Sequence, residues 1–178
     1  MNQYIIHTPT SKDIKIWIAV LVMALITVYS AYILEPENPG LLISIFLIPG
    51  LFIMNFIIRR SLTFKNYFTS QVNLLTSKFY SEKSFDISKE LMFEKIIEVI
   101  NDSKFKLVEA DNDKFEILAI TKISFKSWGE NIYISFDTIG DETIMKFCSV
   151  TLFQIFSWGK NEKNYDDLLN EIENSLTV

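Results

Sequence analysis

The chain has 178 residues, and 22 acidic against 17 basic side chains leave it at −5. The charge is unevenly spread: residues 61–178 hold 13 lysines, no arginine and 19 acidic residues, a net −6, against +1 for the first sixty. An acidic domain without arginine lacks the basic surface that nucleic acid requires, one cysteine excludes an intramolecular disulfide, and one histidine leaves too few ligands for a zinc site.

Residues 1–13 are a short polar tail that carries the histidine, His7. Residues 14–34 hold no charge after Lys15, and as a helix they span roughly 30 Å, the hydrocarbon thickness of a bilayer. Residues 41–58 form a second, shorter apolar run with Pro49-Gly50 at its middle. That pair breaks a helix in water, but a bilayer helix tolerates the kink because neighbouring groups re-satisfy the freed carbonyl. Between the runs, Glu35-Pro36-Glu37-Asn38-Pro39-Gly40 has turn chemistry and no basic residue. Lys12, Lys15, Arg59, Arg60 and Lys65 all lie on the other side of the two runs.

The expectation is a transmembrane hairpin over 14–60 with spans 14–34 and 41–58. It is integral to the cytoplasmic membrane, with both termini inside, the acidic turn outside and the lipid bilayer as first partner. Trp17, Tyr29 and Tyr32 lie near the ends of the first run, where aromatic belts sit. Two rivals are weaker. Buried helices apolar on every side need a much larger protein around them, and a cleaved signal peptide has a shorter apolar core with no second span at once behind it. Thr27, Ser30, Ser44 and Asn55 are polar but not ionisable, so no ion or proton path is expected.

Residues 61–80 read as a juxtamembrane linker or an amphipathic helix. Phe64, Tyr67, Phe68, Val72, Leu75 and Phe79 fall near a helical stripe, which either lies on the inner leaflet or packs on the following domain. Residues 81–178 read as a cytoplasmic α+β domain. A short edge strand over 83–87 precedes Ser88, a suitable N-cap for a helix over 89–101 with Met92, Phe93, Ile96, Ile97 and Ile100 on one face. Four strand-like runs follow at 105–110, 114–125, 131–137 and 142–153, punctuated by Asp111-Asn112-Asp113 and Ile139-Gly140-Asp141. A last helix over 162–176 aligns Tyr165, Leu168, Leu169, Ile172 and Leu176.

Consecutive strands with short loops pair antiparallel. The order β-α-β-β-β-β-α therefore predicts a two-layer domain, an antiparallel meander of four to five strands with both helices on one face. Cys148, inside a strand-like run, is expected as a buried structural thiol. Other folds in which a curved antiparallel sheet grips a helix bind small apolar ligands, a likeness of fold alone.

One short pattern occurs twice: Ser127-Trp128-Gly129-Glu130-Asn131 and Ser157-Trp158-Gly159-Lys160-Asn161. Strand alternation puts both loops at the same end of the sheet. In one reading they form a binding surface: Trp128 and Trp158 offer amphipathic area, Gly129 and Gly159 let backbone approach a ligand, and Glu130, Asn131, Lys160 and Asn161 add polar contacts. In the other, the rings close the open end of the core, the glycines supply positive φ, and Asn161 caps the last helix.

No Gly-rich phosphate loop occurs, and the domain holds no histidine for a nucleophilic triad. Asp111/Asp113 and Asp166/Asp167 read as turn and solvent-face residues. No catalytic residue, metal or cofactor is expected. The reading is a membrane-anchored, non-enzymatic cytoplasmic binding domain whose partner, a membrane protein among the candidates, is met at high effective concentration. The alternative is an inner-leaflet lipid or small apolar ligand-binding domain, which needs a cavity between helices and sheet.

Overall fold

The computed structural model describes Tyr4 and residues 11–71, 76–124 and 127–176. His7, Val72, Leu75, Phe125 and the side chains of Lys12 and Trp17 lie outside the described residues. The chain divides into two compact units, one ending at Ile58 and one beginning at Arg59 that also takes in Tyr4.

The first unit is a pair of helices, α1 (Ser11–Leu34) and α2 (Pro39–Ile58). Asn38 starts α2: its Oδ1 accepts from the Gly40 N–H at 3.0 Å, and Pro39, which has no N–H to satisfy, takes the first helical position. Pro49 lies inside α2 without ending it. Among the described residues α2 is long and apolar enough to cross a membrane, while the apolar part of α1, Ile18–Leu34, is shorter. The hydroxyls of Thr27, Ser30 and Ser44 each donate to the carbonyl four residues earlier, at 2.8–2.9 Å. Met23, Ile26, Ile33, Phe46, Ile53 and Ile57 are exposed on the two helices.

The second unit is α+β. A helical turn, Leu62–Phe64, and the short α3 (Lys65–Thr69) precede β1 (Thr76–Phe85), α4 (Lys89–Asp102), β2 (Lys106–Asp111), β3 (Glu116–Ile120), β4 (Glu130–Ile139), β5 (Glu142–Leu152) and α5 (Lys160–Leu176). The five strands form one antiparallel sheet in the order β1-β5-β4-β3-β2. The meander from β2 to β5 is the expected one, and β1 adds to its β5 edge.

Ser88 Oγ accepts from the Leu91 N–H and opens α4 as expected. Met92, Phe93, Ile96, Ile97 and Ile100 of α4, and Leu168 and Ile172 of α5, meet Leu107, Ile117, Ala119, Ile132, Ile134, Phe136, Met145 and Phe147 of the sheet in one buried cluster. Both helices therefore cover the same face.

Three features depart from the sequence reading. β1 begins at Thr76, well before residue 83, because it pairs along the whole of β5 from Thr76↔Leu152 to Phe85↔Thr143. β3 is short: the Phe115 backbone takes φ +52 in the turn before it, and after Ile120 the Thr121 carbonyl is occupied by Arg59. The sheet is also not bare behind. Leu118, Ile120, Tyr133, Cys148, Val150 and Leu152, which alternate away from the helices, are buried. Phe68 is buried where α3 packs against β5, the Leu62 N–H donates to Glu109 Oε2 at 2.9 Å, and Lys65 pairs with Glu116. The stretch read as a linker or leaflet helix thus divides into a segment packed on the sheet's second face and the start of an edge strand.

Candidate functional site

The register fixes one end of the sheet. Glu130 at the start of β4 lies opposite Thr151 near the end of β5, Asn131 opposite Ile120 at the end of β3, and Thr76 at the start of β1 opposite Leu152. Both Trp-Gly loops lead from or into these positions, so they share an end, as strand alternation implies.

What lies under that end is polar. Thr121, Glu130, Ser149, Asn161 and Asn164 are buried on the helix side of the sheet. The Thr121 hydroxyl donates to Glu130 Oε2 and accepts from the Glu130 N–H at 2.8 Å. Asn164 Nδ2 lies 3.2 Å from the same Oε2 and 3.3 Å from Ser149 Oγ, and Ser149 Oγ donates to Asn161 Oδ1 at 2.9 Å. Asn161 Nδ2 in turn reaches the Ser77 carbonyl at 3.0 Å. The chain of bonds ties the first motif (Glu130) to the second (Asn161) through α5. Both amides donate there to partners that an apolar core would deny them, while Glu130 Oε1 and Asn164 Oδ1 are buried without a hydrogen-bond partner among the described residues.

Arg59 completes this layer, and sequence reasoning used it only as a topological charge. It is the first residue after α2, and it is buried. Its Nη1 donates to the Trp128 carbonyl at 3.1 Å, and its Nη2 donates to the Thr121 carbonyl at 2.8 Å with a longer contact of 3.5 Å to the Glu130 carbonyl. Desolvation pulls its pKa down to about 10, against the attraction of Glu130, which raises it; the group remains a cation at neutral pH. Gly129 makes the approach feasible. A Cβ there would lie 2.4 Å from Arg59 Nη2 and 2.8 Å from Cζ, and the backbone stands at φ +89.

The second motif is built differently. Gly159 also has positive φ, +72, but a Cβ there meets open space. Lys160 is half-buried and starts α5, its N–H donating to the Ser157 carbonyl at 2.9 Å. Asn161 is the second residue of the helix, so it does not cap it; its amide serves the polar layer. Trp128 is 38% exposed and Trp158 72% exposed. Trp158 and Phe156 have ring centroids 6.3 Å apart, with Ile155 also exposed beside them.

Of the eight sequence-selected residues, then, Trp128, Trp158 and Gly159 are at the surface. Gly129, Glu130, Asn131 and Asn161 are interior. Asn131 faces the other side of the sheet, where its Nδ2 donates to the buried Tyr133 hydroxyl at 2.9 Å, and desolvation pushes the Tyr133 pKa up. On that same face burial pushes the Cys148 thiol up to about 11, as a structural cysteine requires. The residues missed were Arg59, Thr121, Ser149 and Asn164. Asn164 had a signal: Asn161, Asn164, Leu168 and Ile172 run on at spacings of 3, 4 and 4, so the stripe of α5 begins with two amides and both are buried.

No protein-family model and no curated protein matches the chain. Among solved structures it is similar to Ara h 8.0201 (6% identity, TM-score 0.46, covering 57% of this chain and 98% of that one). It is also similar to the ginseng major latex-like protein 151 from Panax ginseng (9% identity, TM-score 0.43, 57% and 95%). A third is TTHA0849 from Thermus thermophilus (11% identity, TM-score 0.32, 57% and 92%). At these identities and scores the likenesses carry no argument about the site. What the structure defines is an α+β domain with a five-stranded antiparallel sheet and two helices on one face.

Proposed function

We propose that the protein is a membrane-anchored, non-enzymatic binding domain, held at the cytoplasmic side of the inner membrane by a hairpin of α1 and α2. The observation that carries this reading is Arg59. The residue that follows an apolar helix of membrane-spanning length is bonded into the second unit, at the end that presents Trp128 and Trp158. The chain thus passes from α2 into the second unit at this end.

The helices support the reading. Their large apolar side chains are exposed, which suits lipid and not water, and their hydroxyls bond back into their own helices as a hydrocarbon solvent requires. Thr121, Glu130, Ser149, Asn161 and Asn164 are interior and linked by side-chain hydrogen bonds, which suits a structural layer better than a catalytic one, with Glu130 Oε1 and Asn164 Oδ1 left unpartnered among the described residues. A second reading, an inner-leaflet lipid or apolar ligand domain, draws support from the exposed Ile155, Phe156 and Trp158.

Expressed in a bacterial host, the full chain should pellet with membranes and resist carbonate extraction, while protease added to intact cells should leave residues 61–178 uncut. A chain that stays in the supernatant after high-speed centrifugation refutes the anchor. For the binding role, a pull-down from native membranes should lose its specific bands in the Trp128→Ala/Trp158→Ala variant while the variant stays folded.

A further inference from the structure

We infer that Ile155, Phe156 and Trp158 form a second membrane-contact element, a ledge that sits in the headgroup region of the bilayer holding α2. This rests on the membrane-anchored reading above and names the partner of that same end of the domain.

Single exposed apolar residues are ordinary, but here three fall within four positions, with the two rings in tilted contact. The segment that presents them is held in place. Gln154 Nε2 donates to the Phe156 carbonyl at 2.6 Å, and the Ser77 N–H donates to the Gln154 carbonyl at 2.9 Å, which pins the segment to β1. Phe153 at φ +56 and Trp158 at φ +52 bracket it, both in the left-handed region that side chains disfavour. The backbone thus spends conformational energy to turn apolar side chains outward.

The lipid assignment comes from place and chemistry together. β5 ends opposite the start of β4, and the Glu130 and Trp128 carbonyls there receive Arg59, one peptide bond beyond α2. If α2 crosses the bilayer, the chain leaves it one residue before it is bonded into this end of the sheet. Trp and Phe favour that depth, since an amphipathic ring has an apolar body for the acyl boundary and an N–H for the wet headgroups. Lys122, exposed beside Thr121, and Lys160, beside Trp158, add positive charge at this end of an otherwise acidic domain, which favours anionic headgroups.

The test uses the full chain reconstituted in vesicles of phosphatidylcholine and phosphatidylglycerol. Two single-tryptophan forms are compared: one retaining Trp158 (W17F/W128F) and one retaining Trp17 (W128F/W158F). The lipids carry a spin label either near the headgroup or deep in the chain, and acrylamide serves as the aqueous quencher. The expected result is that headgroup-labelled lipid removes about half or more of the Trp158 emission, and that acrylamide quenches Trp158 severalfold less than in the urea-unfolded chain.

Trp17 quenched by lipid while Trp158 is quenched only by acrylamide overturns the ledge and leaves the anchor standing. Neither tryptophan quenched by lipid overturns the anchor, and the ledge with it. Trp158 shielded in native membranes but open to acrylamide in pure lipid assigns the ledge to a protein partner and overturns the lipid assignment. If the Trp128→Phe change unfolds the domain, W158C carrying a polarity-sensitive thiol label gives the same readout, since Cys148 is buried.

Discussion

Replacing Gly129 by alanine tests the Arg59 socket, with Gly159→Ala as the matched control. Both glycines have positive φ, +89 and +72, so each substitution carries the left-handed penalty of roughly 1–2 kcal/mol. Only Gly129 has a neighbour: the new Cβ would lie 2.4 Å from Arg59 Nη2, closer than real Cβ contacts come. The guanidinium must retreat and give up its bonds to the Thr121 and Trp128 carbonyls. Charge-assisted bonds contribute about 1.5–3 kcal/mol each, and one such loss added to the backbone term puts Gly129→Ala at roughly 3–5 kcal/mol. The excess over Gly159→Ala is therefore about 2–3 kcal/mol. Urea unfolding of the full chain in detergent, followed by near-UV circular dichroism, measures the difference. A double-mutant cycle with Arg59→Met locates it: once the guanidinium is gone, the added cost of Gly129→Ala should fall to that of Gly159→Ala. Equal costs for the two glycines, or strict additivity with Arg59→Met, refutes the socket.

Three further outcomes follow from the same geometry. Cys148, pushed up to about 11 by burial from an ordinary value of 9.0, should alkylate with iodoacetamide about 100-fold more slowly in the native chain than in the unfolded one, read by mass spectrometry near pH 8. Phe68→Ala should cost about 3–5 kcal/mol in urea unfolding because α3 packs on the sheet; a stretch lying on the leaflet would give almost no change. Asp111 accepts the backbone N–H groups of Lys114 and Asp113, which holds its carboxyl below the usual value. A depressed acid stabilises the fold above its unfolded pKa, and that increment is lost as pH falls through the lower folded value. The stability difference between wild type and Asp111→Asn should thus be full near neutrality and shrink below about pH 4, as measured by acid titration of urea midpoints.

Much of the domain was legible in the residues because its signals are local. The α4 stripe, the Ser88 cap and the turns at Asp111 and Gly140 each act within a few positions, and together they specify a meander with helices on one face. The edge strand was harder to read. Ser77, Lys78, Ser81, Glu82, Lys83 and Ser84 show little apolar alternation because β1 is fixed by backbone pairing with β5, and charged side chains suit an unpaired edge. The buried second face of the sheet depends on Phe68 and α3 arriving from far upstream, which no window of sequence displays. The socket is similarly remote: Arg59 reaches carbonyls more than sixty positions away. A glycine that marks a turn in sequence gives no sign of what approaches it.

The two Ser-Trp-Gly-x-Asn copies look like halves of one clamp, and their surroundings argue otherwise. Gly129 leads into a central strand flanked by β3 and β5, where the missing side chain admits a guanidinium. Gly159 leads into a helix, and its missing side chain admits nothing. Asn131 serves Tyr133 on one side of the sheet, while Asn161 serves Ser149 and Ser77 on the other. What the copies share is a backbone requirement, positive φ at a turn, and not a ligand geometry. The tryptophans should therefore fail in different ways. At 38% exposure Trp128 keeps most of its surface out of water, whereas Trp158 at 72% keeps little. With about 25 cal/mol per Å² over a ring system of roughly 200–250 Å², truncation to alanine should destabilise the domain by about 2 kcal/mol more at Trp128 than at Trp158. Trp158→Ala should instead leave the urea midpoint nearly unchanged and weaken the contact its ledge makes. Equal losses of stability in both variants, with no separate loss of binding, would return the pair to a common structural role.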